Sequence, residues 1–181
     1  EENRVTGEEN HIWNVSTSDL MGDYKLFEQK ALDFLEGAGK RPALEPDVRL
    51  GYIGVPPICS DLYSFLGELN VHVVFNEVQR QFSMPYKTDI LMDQYIRYTY
   101  PYEMRYHIDD IKKQIAERKI DGIIHYVQNF CHRHIYDSLV RRHIDIPVLT
   151  LDCDRPGRLS GSMRTRIEAF IEMLKNTTNS P

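Results

Sequence analysis

The chain has little of several things. Its 181 residues contain three cysteines and one tryptophan. No apolar run approaches the ~20 residues of a membrane span, and no basic-then-apolar segment opens the chain as a secretory signal would. Cys59, Cys131 and Cys153 are odd in number and far apart, which argues against a disulfide framework and for reduced thiols or metal ligands. A cytoplasmic protein with no membrane partner is expected. Excess positive charge is also missing: the formal net charge is -5. The densest basic run, Arg141, Arg142 and His143, falls at the end of an expected helix, where cations meet the helix dipole, so no nucleic-acid partner is expected. Gly51-Tyr52-Ile53-Gly54 lacks the third glycine of a dinucleotide fingerprint, and there is no Gly-Lys-Ser/Thr phosphate loop. The absence of a Gly-x-Ser-x-Gly elbow leaves a serine hydrolase without support.

What is present reads as an ordinary globular chain, 41% hydrophobic and 27% charged. It opens on Glu1-Glu2-Asn3-Arg4 without a methionine, as a processed or excised domain would. Residues 1–48 form an N-terminal arm and helix, in which Leu26, Phe27, Ala31, Phe34 and Leu35 recur at helical spacing and Gly37 and Gly39 mark the end. From residue 49 to 181 the pattern becomes alternating strands and helices, the mark of βαβ units. Strands are expected at residues 49–55, 71–75, 123–127 and 148–151. Ser60 is placed to cap a helix carrying Leu62, Phe65, Leu66 and Leu69. Residues 76–102 form a long aromatic insertion, whose Tyr95, Tyr98, Tyr100 and Tyr102 suit a lid or an interface. A helix follows with Ile108, Ile111, Ile115 and Ala116 on one face, then another at 133–143. A last helix from about Ser160 turns Ile167, Phe170, Ile171 and Leu174 inward. Right-handed crossovers make this an α/β fold: a four-stranded parallel sheet with helices on both faces, flavodoxin-like or Rossmann-like, plus the N-terminal helical arm.

Open parallel sheets bind ligands beyond the carboxyl ends of their strands. Those ends carry Pro56, Pro57 and Cys59, then Asn76 and Glu77, then Asn129 and Cys131, then Asp154, and every cysteine lies in or beside this set. Cys131 sits where a buried strand meets a helix start, a place that favours a thiolate, and a thiolate suits a soft metal or an iron-sulfur cluster. One thiolate cannot hold a cluster, so either the three cysteines converge or further ligands lie elsewhere. Cys131-His132-x-His134 has no standard zinc spacing, and surface histidines are the better reading. In the closing helix Arg164 and Arg166 point about 200 degrees apart. One of them is expected to salt-bridge the loop carrying Asp152 and Asp154 while the other faces solvent.

The run from Asp121-Gly122-Ile123-Ile124 to Phe130-Cys131 resembles the cysteine-delivering strand and loop of the family containing the 2-hydroxyglutaryl-CoA dehydratase D-component and benzoyl-CoA reductase subunits. Ile146-Pro147-Val148-Leu149 through Asp154, and Arg164-Thr165-Arg166-Ile167-Glu168-Ala169-Phe170 after it, resemble that family's closing segment, and residues 4–7 and 18–23 are a looser match. The resemblance implies the C-terminal domain of a longer protein, with Cys131 as its one ligand to a 4Fe-4S cluster and the other ligands in an N-terminal half or partner subunit. It implies an ATP-dependent iron-sulfur activator, a CoA thioester substrate, and reductive removal of water from an (R)-2-hydroxyacyl-CoA through a ketyl radical. On its own the domain would be inactive and without a stable cluster. Two other readings remain open: an electron-relay member, such as a benzoyl-CoA reductase-like or double-cluster protein, and a metal-free ligand-binding α/β module.

Overall fold

The computed structural model describes residues 3–86, 88–98 and 104–178. Its strands are β1 Val48–Gly54, β2 Val71–Asn76, β3 Gly122–Val127 and β4 Val148–Asp152. They pair parallel in the order β2-β1-β3-β4, so the α/β class and the parallel sheet are as expected. The helices are α1 Gly7–Ser16, α2 Tyr24–Gly39, α3 Leu62–Glu68, α4 Glu77–Phe82, α5 Leu91–Tyr98, α6 Met104–Arg118, α7 Asp137–His143 and α8 Gly161–Thr178. Two of them, α4 and α5, lie inside what the sequence suggested was a loop-rich insertion. Among the described residues no helix is long and apolar enough to cross a membrane.

Alternation along the strands divides the core in two. Leu50, Tyr52, Ile124 and Tyr126 pack with Leu62, Phe65 and Leu66 of α3 and with Ile167, Phe170, Ile171 and Leu174 of α8. Ile53 and Ile123 pack the other way, with Ile108 and Ile111 of α6 and Val140 of α7. Strand parity predicts that β2 sends Val71, Val73 and Phe75 to one face. The structure differs, because the register runs Leu50↔Val73 and then Gly51↔Phe75, skipping Val74. This bulge sends Phe75 to the α6 side and aligns Asn76 with Tyr52.

Several local expectations are corrected. In α2, Leu26 and Leu35 are exposed (48% and 63%), while Phe27 and Phe34 meet Trp13 of α1 with ring centroids 5.8 and 4.8 Å apart. Ala116 faces solvent. Asp61, rather than Ser60, holds the N-cap position of α3, with no side-chain cap bond. Its carboxylate instead accepts from the Leu159 N–H at 2.7 Å and pairs with Arg158 and Arg164. The expected helix at 133–143 is a 3-10 turn, His132–Tyr136, followed by α7.

Candidate functional site

Because the four strands are parallel, all the loops named from the sequence leave one edge of the sheet, with central β1 and β3 side by side. β1 ends on Gly54 at φ +97°, where an added Cβ would come within 2.0 Å of the Tyr126 carbonyl oxygen. Only glycine fits there. The turn lets the Val55 N–H reach that same oxygen at 3.1 Å and is followed by half-buried Pro56 and Pro57. Cys59 turns back inward and is 5% exposed. Its sulfur lies 3.4 Å from Cys153 Sγ and 3.9 Å from the Tyr126 hydroxyl.

The loop after β3 carries Cys131. Phe130 adopts φ +65° and its ring is fully exposed, while Cys131 is half-buried at the start of the 3-10 turn. Asp154, from the loop after β4, accepts from the backbone N–H of Asn129 at 2.6 Å and from the Asn129 side-chain amide as well. That clip ties the Cys131 loop to the end of β4. His132 stacks edge-on against Tyr136, and both His132 and His134 face solvent.

Asn76 and Glu77 lie deeper, each 1% exposed. Asn76 accepts from the Tyr63 hydroxyl at 2.9 Å and donates to the Gly7 carbonyl and to Asn10 Oδ1, both at 3.0 Å. Tyr63 also meets His11 Nδ1 at 2.7 Å. This network fastens α1 to the end of β2, and burial pushes the Tyr63 hydroxyl well above its usual range. Glu77 pairs with buried His107 of α6. Beside it, Arg80 binds Asp110 at 2.6 Å, with its guanidinium 4.9 Å from the Tyr86 ring centre.

The sequence reading missed His107, His125 and Asp137. His125 lies in β3, 2% exposed, with Nδ1 2.8 Å from Asp137. Burial holds its imidazole below the ordinary range. Burial also opposes ionisation of Asp137, but bonds from Thr150, Arg141 and His125 outweigh it and hold that carboxyl down at about 2. A polar residue inside an apolar strand was the available signal for His125, and the polar run Glu77-Val78-Gln79-Arg80-Gln81 was the signal for the α4 cluster. The aromatic insertion is described only in part: Tyr95 is 50% exposed, whereas Tyr100, Tyr102 and the Tyr98 side chain lie outside the described residues.

Comparison with known proteins adds a family. The model for "2-hydroxyglutaryl-CoA dehydratase, D-component" matches residues 1–174. The chain belongs to the 2-hydroxyglutaryl-CoA dehydratase D-component family. It is also similar to the "Putative dehydratase subunit YjiM" of Escherichia coli (strain K12), 30% identical over 69 residues that make up 35% of this chain and 18% of that protein. The match thus spans under a fifth of that relative. The edge that carries Cys131 presents exposed Phe130 and Ile135 nearby.

An iron-sulfur cluster can be tested against the donor set. Among the described residues no three histidines, cysteines, aspartates or glutamates gather as a metal site. Cys131 stands by itself on a loop carried at the sheet edge. One accessible thiol there fits a ligand contributed to a cluster shared with another part of the protein, and it does not fit a complete site.

Proposed function

We propose that this chain forms one wall of the reaction cleft of an iron-sulfur dehydratase that removes water reductively from an (R)-2-hydroxyacyl-CoA through a ketyl radical. Cys131 is its ligand to a 4Fe-4S cluster, and residues 49–181 form the cluster- and substrate-cleft domain behind the arm at 1–48. The observation that carries the reading is the position of Cys131: the family's residues 1–174 fold so that this thiol stands on the loop after central β3, next to the turn after β1. In open parallel sheets that is where ligands bind. The bound cluster supplies a low-potential electron, delivered by an ATP-dependent activator, to a substrate whose β-proton is too weakly acidic for ordinary elimination.

The chain's own part is positional. The Asn129–Asp154 clip fixes the direction from which Cys131 approaches. The Pro56-Pro57 turn supplies a rigid, half-buried rim with few polar groups, which suits a cleft that excludes water. Asn76 and Glu77, at the end of β2, are each committed to buried partners. The remaining cluster ligands come from an N-terminal half or a partner subunit.

The test is to assay the complete protein, purified anaerobically with its activator, for dehydration of (R)-2-hydroxyacyl-CoA thioesters. Dehydration in the wild type and its loss in Cys131→Ser support the reading. A protein that takes up iron yet neither binds nor dehydrates a CoA thioester would make it an electron relay instead.

A further inference from the structure

The two cysteines that the proposed cluster site does not use lie against each other. Cys59 follows β1 and Cys153 follows β4, 94 positions apart in the chain, and their sulfurs are 3.4 Å apart. A disulfide needs a separation near 2.05 Å, so bond formation asks the two side chains to close about 1.4 Å between them. The backbones that carry them are already joined: Cys59 and Gly157 form a parallel bridge, with the Ser60 N–H donating to the Gly157 carbonyl at 2.8 Å. The Tyr126 hydroxyl, rising from β3 between the two loops, touches the Ile58 N–H at 3.4 Å and the Cys153 carbonyl at 3.5 Å.

We propose that Cys59 and Cys153 are a reversible dithiol–disulfide pair, oxidised by exchange with a low-molecular-weight disulfide of the glutathione class. Their environments assign the order of events. Cys153 is half-buried and its sulfur reaches the loop surface beside the Arg155 carbonyl, so it meets the oxidant first. Cys59 is enclosed, and burial pushes its thiol up to about 11, so it is the resolving partner. Cys153 sulfur attacks one sulfur of the small disulfide, forming a mixed disulfide and expelling one small thiol. Cys59 sulfur then attacks Cys153 Sγ, the protein disulfide forms and the second small thiol leaves. The protein dithiol loses two electrons, the small disulfide gains them, and the two protein thiol protons end on the two released thiols. Cys131 takes no part. The bond would staple the loop after β1 to the loop whose Asp154 clips the Cys131 segment, so the redox state of the pair sets the stiffness of that edge.

The test is peptide mapping of the complete protein, equilibrated with excess oxidised glutathione, blocked with an alkylating reagent and digested with trypsin without reductant. The expected product is peptide 50–80 joined to peptide 143–158, two hydrogens lighter than their sum, released by dithiothreitol, and accompanied by a rise of several degrees in melting temperature. Cys59→Ser should instead stop at a glutathione adduct on Cys153. Should that variant fail to fold, the wild-type map alone decides. Separate alkylation of Cys59 and Cys153 after oxidation, with the far-ultraviolet circular dichroism of the native fold retained, would overturn the proposal. So would protection of both thiols from oxidant and alkylator that a chelator removes, because the pair would then be a metal site.

Discussion

At Asp137, one carboxylate accepts from three side chains, one of them the buried His125. Asp137→Ala strands the imidazole and should cost roughly 1–3 kcal/mol in denaturant unfolding. The pH dependence has a definite sign. Asp137 is depressed to about 2 against an ordinary 3.8, so its contribution is present above pH 3.8 and disappears as pH falls through about 2. His125 is depressed below its ordinary 6.5, so it too stabilises above that value and loses the contribution as pH falls into its own lowered range. Wild-type stability should therefore decline on acidification from about pH 6.5, and the difference between wild type and Asp137→Ala should narrow below pH 3.8. A difference that widens below pH 3.8 would refute the assignment. Gly54 makes a steric prediction, because an added Cβ would lie 2.0 Å from the Tyr126 carbonyl oxygen at a φ of +97°. Gly54→Ala should cost at least ~2 kcal/mol, and an unchanged denaturation midpoint would show that the turn can relax. Gly54 was legible as a residue within the strand expected at 49–55. Its contact with Tyr126 was not, since that depends on pairing across 72 positions of sequence.

Among elements, the closing helix α8 departs most clearly from its sequence reading. The turn of the helix correctly separates Arg164 from Arg166, and Arg166 meets the β4 end as expected, donating to the Thr150 carbonyl at 2.6 Å and lying 3.6 Å from Asp152. Arg164, however, is not left to solvent. It binds Asp61 at 2.5 Å over the Phe65 ring, a partner in the loop after β1 and 103 positions away in the chain that no local pattern could name. Asp61 is nearly buried, with its side chain 9% exposed, whereas Asp152 is 62% exposed. Arg164→Ala should therefore destabilise more than Arg166→Ala, and the Arg166 change should stay within ~1 kcal/mol because exposed pairs contribute little. Equal losses in urea unfolding would contradict this ordering. The β2 bulge was equally hidden: apolar alternation reads straight through Val71–Asn76, yet the skipped Val74 decides where Asn76 points. Asn76→Ala should loosen α1, raising amide exchange across Gly7–Ser16 well above that of α8. Uniform exchange in both helices would mean that Asn76 does not hold α1.

For the molecule as a whole, strands and their order of appearance were legible because a buried parallel sheet needs near-continuous β-branched runs closed by Pro, Gly and Asn. The position of Cys131 was legible for the same reason, since a cysteine just past such a run must stand at the carboxyl edge. What two distant loops do together was not legible, and that covers the Asn129–Asp154 clip, the Cys59–Cys153 contact and the His–carboxylate pairs. The proposed function makes Cys131 this chain's one ligand to a shared cluster. It is tested most directly by iron and acid-labile sulfide analysis, with electron paramagnetic resonance, of the complete protein reconstituted anaerobically as wild type, Cys131→Ser and Cys59→Ser. The expected result is that the wild type and Cys59→Ser hold the same cluster while Cys131→Ser loses it or keeps a degraded one. A full cluster with an unchanged spectrum in Cys131→Ser would contradict it.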